Sequence, residues 1–506
     1  MYLHNNHVYK TRPYAHQIAA FDMSKDAAAF ALLMEMGTGK SKVIIDNAAY
    51  LYGKGAINAL LLVCPNGVHR NWIINELPAH LPDHIACVSA YWAATPKKAE
   101  RQQLDALFDV EHSDKLKVFA MNVEAFSSPK GPAIAERFLR AYKTMMVVDE
   151  SGDIANISAK RTKSIIKVGK YAVYRRILNG TPITQGPLDA FAQFYFLDKC
   201  ILNHNSYYAF RNHYAVWERK SNYKTGRAYQ ELKSYQNLDE LRAKIQAYSY
   251  RALKEDCLDL PDKVYEKRYV ELSPEQRKLY KEAASKIRVF FENESLVGTI
   301  TSTIALTKLL RLQQITGGYV TVEEAGNIAP LPDAPENVTR VAEIVPPEKN
   351  PRIQEVLHIA RECTGKIIIW ARFIREIEAL VKVLRSTFGA RSAVAYYGAV
   401  KNEERVMNIE SFQHDPEVRF FIGQQRSAGM GVTLTAATTV VYYSNDFSLR
   451  MRLQSEDRAH RIGQSSKVLY IDIEAVSTID KKIVNTLREK KNLADAITDG
   501  RIIDWI

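Results

Sequence analysis

Short apolar runs of strand length recur along this chain, each followed by a longer segment with one polar face. In the first part they are Phe30 to Met34, Ala59 to Cys64, Val118 to Met121, Met145 to Val148 and Ile177 to Leu178. Strands apolar on both sides and spaced by helical lengths specify a parallel sheet covered by helices. The pattern lapses from Asn203 to Tyr250, where Tyr, Lys, Arg and Asn recur at helical spacing without a strand signal. Ser273-Pro274-Glu275-Gln276 then opens a helix, with Ser as cap, Pro in the first turn and Gln reaching back. Between Pro330 and Pro351 lie six of the 18 prolines and no glycine, which makes a stiff connector. Beyond it the alternation returns at Lys366 to Trp370, Ala393 to Tyr396, Arg419 to Ile422, Val440 to Tyr443 and Val468 to Ile473. A last helix is expected from near Ser477, with Ile479, Ile483, Leu487 and Leu493 on one side. The expected architecture is two α/β lobes joined by a helical, proline-rich middle.

A chain of 506 residues exceeds one ordinary core. Lys plus Arg outnumber Asp plus Glu by 69 to 57, a formal charge of +12. That surplus suits a polyanionic partner, although spread evenly it would only aid solubility. The apolar runs are far too short to span a bilayer. Met1 to Lys10 has no apolar signal core, so neither a membrane nor a secreted protein is expected. The five cysteines at 64, 87, 200, 257 and 363 form no Cys-x-x-Cys pair. They read as reduced thiols of a cytosolic protein, and neither they nor the histidines show metal spacing.

Met36-Gly37-Thr38-Gly39-Lys40-Ser41 follows an apolar run and precedes a helical segment. Glycines there let backbone N–H groups wrap a phosphate chain at a helix N-terminus. Lys40 would neutralise the β- and γ-phosphates, and the Ser41 hydroxyl would ligate Mg²⁺. The full motif wants glycine at the position of Met34, so a simple helix cap is the competing reading. Met145 to Glu150 is an apolar strand ending in two carboxylates, which would face the phosphate loop. Asp149 would hold magnesium through water, and Glu150 would orient and deprotonate the attacking water. Arg458 and Arg461, three residues apart on an expected helix, could supply charge to the γ-phosphate from across a cleft. His460 between them suits packing or hydrogen bonding better than ligation.

Gln454-Ser455-Glu456-Asp457-Arg458-Ala459-His460-Arg461-Ile462-Gly463-Gln464 resembles the last motif of Swi/Snf-type DNA-dependent ATPases, members of helicase superfamily two. Other stretches fall into the family's order: Arg12-Pro13-Tyr14 with Gln17, Leu61 to Trp72, and Leu178-Asn179-Gly180-Thr181-Pro182. They continue with Leu260 to Lys263, Leu272 to Gln276, Tyr397-Gly398, Arg405 to Gln413, and Ser427 to Leu434. The resemblance covers residues 10 to 498 and implies two RecA-like lobes. Residues 1–262 would be the first, with a helical insertion at about 200–260. Residues 263–350 would link, and 351–506 would form the second lobe with a brace helix from Thr478 to Ile497. It also implies that Gln17 reads adenine, that Gly429 and Gly431 join Arg458 and Arg461 at ATP, and that Gly180, Thr181 and Gln454 couple hydrolysis to movement. Asn66, Asn122, Arg372, Ser427 and Thr433 become candidates for DNA phosphates.

The chain departs from the family pattern where Ala-His usually follows the carboxylates and Ser151-Gly152 stands here. That histidine normally relays between the nucleotide and the third motif, which Leu178 to Pro182 resembles, so its coupling is in question. The usual basic residue farther on is Ala155, and the aromatic of the last strand's exit is Phe447. The resemblance implies a Mg-ATP motor on double-stranded or branched DNA, sequence-independent and monomeric. A bare motor of this size suggests the cytoplasm of a bacterium or of a virus-infected cell. A strand-separating helicase and an ATP-binding clamp with little turnover are the alternatives. Two further stretches could grip DNA: the basic cluster Lys160, Arg161, Lys163, Lys167, Lys170, Arg175 and Arg176, and the Tyr-rich stretch Tyr207 to Tyr250 with Arg211, Arg219, Lys220, Lys224 and Arg227. The competing readings are a solvated helix face for the first and packing between helices for the second.

Overall fold

The computed structural model describes residues 2–4, 7–180, 186–221, 228–258, 260–295, 302–322, 340–430, 432–461, 463–485 and 487. The apolar runs of the first part are strands β1 (Ala29–Met34), β2 (Ala59–Cys64), β4 (Leu116–Asn122), β5 (Thr144–Asp149) and β6 (Tyr174–Leu178), with β3 (Cys87–Tyr91) between β2 and β4. A hairpin follows, β7 (Ala215–Ser221) with β8 (Ala228–Tyr235), and then β9 (Ser249–Ala252). The first sheet runs β9-β1-β6-β5-β2-β4-β3, and every pairing in it is parallel. Apolar side chains fill both of its faces, Leu61, Val63 and Phe119 on one and Leu60, Leu62 and Val118 on the other.

The second sheet comprises β10 (Lys263–Val270), β11 (Lys366–Trp370), β12 (Ala393–Tyr396), β13 (Phe420–Gly423), β14 (Ala437–Tyr442) and β15 (Val468–Ala475). Its order is β10-β15-β14-β11-β13-β12, again all parallel. Two parallel sheets flanked by helices are therefore the architecture. The segment expected to link the lobes begins with a strand of the second sheet. β10 alternates Val264, Glu266 and Arg268 with Tyr265, Lys267 and Tyr269, an edge pattern that presents no apolar run.

The stretch Asn203 to Tyr250 is not helical throughout. β7 and β8 pair antiparallel, with Trp217 opposite Leu232 and Glu218 opposite Glu231. A two-stranded ribbon open on both sides carries polar residues on both faces, which removes the strand signal. The expected DNA grip of Lys224 and Arg227 lies outside the described residues. Within the stretch, Phe210 and Tyr214 pack into the first core, and Arg211 lies over Trp217 at 4.0 Å. The basic cluster also divides. Lys160, Lys163, Lys167 and Lys170 are exposed, whereas Arg176 is fully buried and donates to Ser24 O. Arg176 is a packing residue and not part of a groove.

The helix Pro274–Ser295 begins as expected, with Gln276 N donating to Ser273 Oγ and Ser273 N donating to Gln276 Oε1, both at 3.2 Å. The last described helix runs through 479–485. Its Ile479 and Ile483, with Leu487, pack on Leu312 and Leu449 against Tyr280 and Ile287. Thus the described part of the last helix covers the middle helices. Leu493 and the remainder of the expected brace lie outside the described residues, as do residues 323–339 of the Pro-rich connector. Among the described residues no helix is long and apolar enough to cross a membrane.

Packing of helix Lys130–Ala141 on the 3-10 turn Val123–Ser127 requires glycine at 131. A Cβ there would lie 2.2 Å from the Ala125 carbonyl oxygen, which is backbone and cannot turn aside. Gly131→Ala should cost about 1–3 kcal/mol and lower the unfolding midpoint in calorimetry. Gly53→Ala, at a site with nothing within 4 Å, should leave the midpoint unchanged or raise it.

Candidate nucleotide site

β1, β6 and β5 are neighbours, so the loops leaving their C-terminal ends lie side by side. The loop after β1 is the glycine-rich one, that after β6 carries Asn179-Gly180, and that after β5 carries Asp149-Glu150. Gly37 and Gly39 hold φ of +82° and +86°, a left-handed backbone open to glycine. Helix Lys40–Gly53 then starts with Gly39 as its cap, as a phosphate cradle requires. Gly180 packs against this loop: a Cβ there would be 3.3 Å from Met36 N. Thr181 and Gly431 lie outside the described residues. Gly429 sits on the 3-10 turn Gln425–Met430 after β13.

Lys40 Nζ donates to the carbonyls of Met34, at 2.8 Å, and Glu35, at 3.1 Å, where β1 ends. Gln17 is buried and occupied: its Nε2 donates to Thr38 O at 3.0 Å and its Oε1 accepts from Tyr14 N at 3.0 Å. His16 Nε2 reaches the same carbonyl at 2.8 Å. Gln17 therefore braces the phosphate loop in this structure, and its amide is not presented to a base. Asp149 Oδ2 accepts from Trp72 Nε1 at 2.9 Å, which orients the carboxylate. Burial and the adjacent Glu150 push the Asp149 carboxyl up to about 6, opposed by the Trp72 N–H and Lys40. Glu150 stands at φ +54°, a conformation disfavoured for a side chain with a Cβ. A hydroxyl at Ser41 and a carboxylate at Asp149 are hard oxygen donors that suit Mg²⁺, which draws its other ligands from phosphates and water.

The second lobe brings helix Leu449–Glu456 to this edge. Its buried Arg452 ties it to Asp472 at 2.5 Å and to Asn445 at 2.9 Å, and pairs with Glu456 one turn on within the helix at 2.9 Å. The helix stops at Glu456, so Arg458 and Arg461 do not share a helix face as the spacing predicts. Instead Arg458 O accepts from Leu434 N at 2.9 Å and His460 Nε2 meets Pro261 O at 2.8 Å. These tertiary bonds hold the segment in a turn. Arg461 then passes the phosphate loop, since a Cβ on Gly37 would lie 3.4 Å from Arg461 Cβ. Arg458 is buried, and its Nε and Nη2 have no hydrogen-bond partner among the described residues. Burial, then the like charge of Arg461, lowers its pKa to about 10. Buried donors without acceptors are costly, on the order of 1–3 kcal/mol each, and an incoming phosphate oxygen would satisfy them. Gln454 is buried in the same helix.

Two cations at the edge carry no sequence signal. Lys254 hydrogen-bonds Asp457 Oδ1 at 2.5 Å and His460 O at 2.7 Å, while its own N–H donates to Glu35 Oε2 at 2.7 Å. Arg450 reaches Asp153 Oδ1 at 2.7 Å and Glu150 Oε2 at 3.8 Å. Both partners are some 200 residues or more away in the chain, beyond any local pattern.

The DNA candidates are spread along the same edges of the two sheets. Asn66 follows β2 and is exposed; Asn122 ends β4 and donates to Glu124 at 2.9 Å. Arg372 follows β11, donates to Gln313 Oε1 at 3.3 Å and lies over Phe447 at 5.1 Å. Ser427 is buried in the turn after β13, and Thr433 is half-buried. Among the described residues no hydrogen bond or ion pair joins these five to one another.

A phosphate loop and paired carboxylates on one parallel sheet, faced by arginines from a second, define a two-lobed nucleotide-binding protein of the helicase type. The chain belongs to the SNF2-related family: residues 16–317 match the SNF2-related domain, and residues 348–463 match the helicase conserved C-terminal domain. It is 26% identical over 505 residues to a SWI/SNF-related matrix-associated actin-dependent regulator of chromatin subfamily A-like protein 1 homolog of Caenorhabditis elegans, covering 96% of this chain and 61% of that one. It is 26% identical over 475 residues to chromodomain-helicase-DNA-binding protein 1-like of Danio rerio, covering 92% of this chain and 42% of that one. The chain thus spans about half the length of such curated relatives. Among solved structures it resembles the Sulfolobus solfataricus SWI2/SNF2 ATPase core in complex with dsDNA, with 22% identity, a TM-score of 0.42, and coverage of 99% of this chain and 96% of that one.

The glycine cradle makes a direct demand. A Cβ at Gly39 would meet Gln17 Nε2 at 2.1 Å and would also hold a left-handed φ, which costs about 1–2 kcal/mol. Gly39→Ala should raise the Kd for a fluorescent ATP analogue by about tenfold or more with unchanged circular dichroism. Adding Gln17→Ala should recover only part, because the backbone strain remains.

Proposed function

We propose that the protein is a DNA-stimulated ATPase that uses Mg-ATP to move along double-stranded DNA without separating the strands. The observation that carries this reading is Arg461 of the second lobe beside Gly37 of the phosphate loop, with Arg458 buried and its Nε and Nη2 without a partner among the described residues. Such a site is complete only when both lobes contribute, so lobe motion and hydrolysis are tied together. Bound Mg-ATP would supply the scissile phosphoanhydride bond and the metal that neutralises its charge. Lys40 would leave the Met34 and Glu35 carbonyls to hold phosphate oxygens, while Ser41 and Asp149 would hold the metal. Glu150 would take the proton of the attacking water. Arg458 and Arg461 would meet the charge that develops on the transferred group. Candidate DNA contacts at the sheet edges are polar or basic and address phosphate, so binding should be salt-sensitive and indifferent to sequence. We assign residues 1–262 to the first lobe and 351–506 to the second, with 263–350 linking them and lending its opening strand β10 to the second sheet, in a monomeric cytoplasmic motor.

One observation favours strand separation as the second reading. The hairpin β7–β8 projects as a ribbon from the first lobe, and a ribbon of that kind can serve as a wedge. A triplex-displacement assay and a forked duplex with labelled strands separate the two. The proposed function requires ATP-dependent release of the third strand with little fork opening. Fork unwinding without triplex release makes the hairpin reading correct, and ATP binding without DNA-stimulated turnover makes the protein a clamp.

The residue roles differ in what they should abolish. Glu150→Gln should keep nucleotide affinity and lose hydrolysis, whereas Lys40→Ala should lose affinity. Arg461→Ala should keep ATP affinity close to wild type while DNA-stimulated kcat falls on the order of a thousandfold. An equal fall in affinity and turnover would remove Arg461 from the transition state.

A further inference from the structure

The space beside Gly152 is taken by a residue of the other lobe. A Cβ at 152 would lie 3.5 Å from Asn179 Nδ2 and 3.6 Å from Arg450 Nη1, so any longer side chain would meet both. Arg450 belongs to helix Leu449–Glu456 and reaches across to the turn that follows the carboxylate pair. Its Nη1 lies 2.7 Å from Asp153 Oδ1, and its Nη2 lies 3.8 Å from Glu150 Oε2. The ion pair is largely buried, with side-chain exposures of 15% for Arg450 and 20% for Asp153, so the screening that weakens surface pairs is reduced.

Asp153 is mechanically joined to Glu150. Its N–H donates to Glu150 O at 2.9 Å, closing the turn in which Glu150 holds φ +54°. Arg161 Nε fixes the Asp153 carbonyl from the other side at 3.1 Å. A displacement of Arg450 is therefore passed through Asp153 to the backbone of Glu150. The neighbouring Ser151 joins the third motif by a separate route. Its Oγ donates to Gln193 Oε1 at 2.6 Å, and Asn179 Nδ2 lies 3.2 Å from the same oxygen.

We propose that Arg450 is a positioning residue that carries closure of the second lobe to Glu150 through Asp153, standing in the space that Gly152 leaves open. It rests on the ATPase reading above for its effect on turnover, but not for its effect on lobe geometry. Arginine suits the role because its planar fork holds separate N–H groups toward the two carboxylates in a fixed geometry, whereas a lysine ammonium is a compact point charge on a flexible stem.

The test is a double-mutant cycle on the full chain: Arg450→Ala, Asp153→Asn, both together, and Arg450→Lys. Each single change should lower DNA-stimulated kcat by about tenfold or more and leave the KM for ATP within about twofold. The double variant should be no worse than the poorer single one, as for two ends of one contact. Arg450→Lys should fall between wild type and Arg450→Ala. A second readout needs no turnover. Spin labels at exposed Val110 and Val406, one on each lobe, report inter-lobe distance by pulsed electron resonance in a Cys200→Ser background. Arg450→Ala and Asp153→Asn should broaden that distribution alike in the nucleotide-free protein. Multiplying kinetic losses or an unchanged distribution would overturn the role of Arg450 even in a fully active motor. A wild type without DNA-stimulated turnover would overturn the motor reading, and the distance distributions would then decide the clasp by themselves.

Discussion

The adjacency of β1, β6 and β5 in one parallel sheet is the constraint on which the rest of the site depends. Parallel strands end at the same edge, so three loops far apart in sequence leave from one line. Because β6 lies between the other two, Asn179-Gly180 sits between the phosphate loop and the carboxylates. Gly180 approaches Met36 N so closely that its missing side chain is part of the fit. Everything the second lobe contributes must be aimed at that line.

The aim is set by buried charge. Arg452, locked to Asp472 and Asn445, holds helix Leu449–Glu456 on the second sheet. From that base, Arg450 points to the carboxylate turn and the segment after the helix carries Arg461 to the phosphate loop. Lys254, on the first lobe's exit from β9, closes the opposite side through Asp457. Arg450, Arg452 and Lys254 each have a carboxylate partner, whereas Arg458 has none among the described residues and keeps two buried donors without acceptors. The contrast separates groups that hold the lobes from the group that is poised for a ligand.

Much of this was legible in sequence, for physical reasons that also explain the rest. Strands buried on both faces write themselves as apolar runs, and Ala59 to Cys64 or Lys366 to Trp370 coincide with their strands to the residue. The phosphate loop and the Asp149-Glu150 pair are local, because each chemistry is built from consecutive residues. Edge strands and ribbons lack that signature: β7, β8 and β10 are polar on at least one side and read as something else. The end of the helix at Glu456 was equally hidden, since Leu434, distant in sequence, donates to the Arg458 carbonyl that a longer helix would have used, and Pro261 O holds the His460 ring. Arg450 and Lys254 matter only through partners on the other lobe, and no spacing records such a pairing.

The substitution at 152 shows how a change in a local motif can be answered from a distance. Removing a side chain at that point opens room in front of Asn179 and next to the turn of Glu150. An unfilled space lined by polar groups would leave them either unpaired or hydrated. Here a guanidinium from the second lobe enters the room and binds the Asp153 carboxylate. The contact between the carboxylate turn and the rest of the site is then made between lobes and not within one. Its strength must vary with how closely the lobes approach, because the donor and acceptor ride on separate sheets. A relay confined to one lobe would be formed whether the cleft is open or shut, whereas this one exists only to the extent that the cleft is closed.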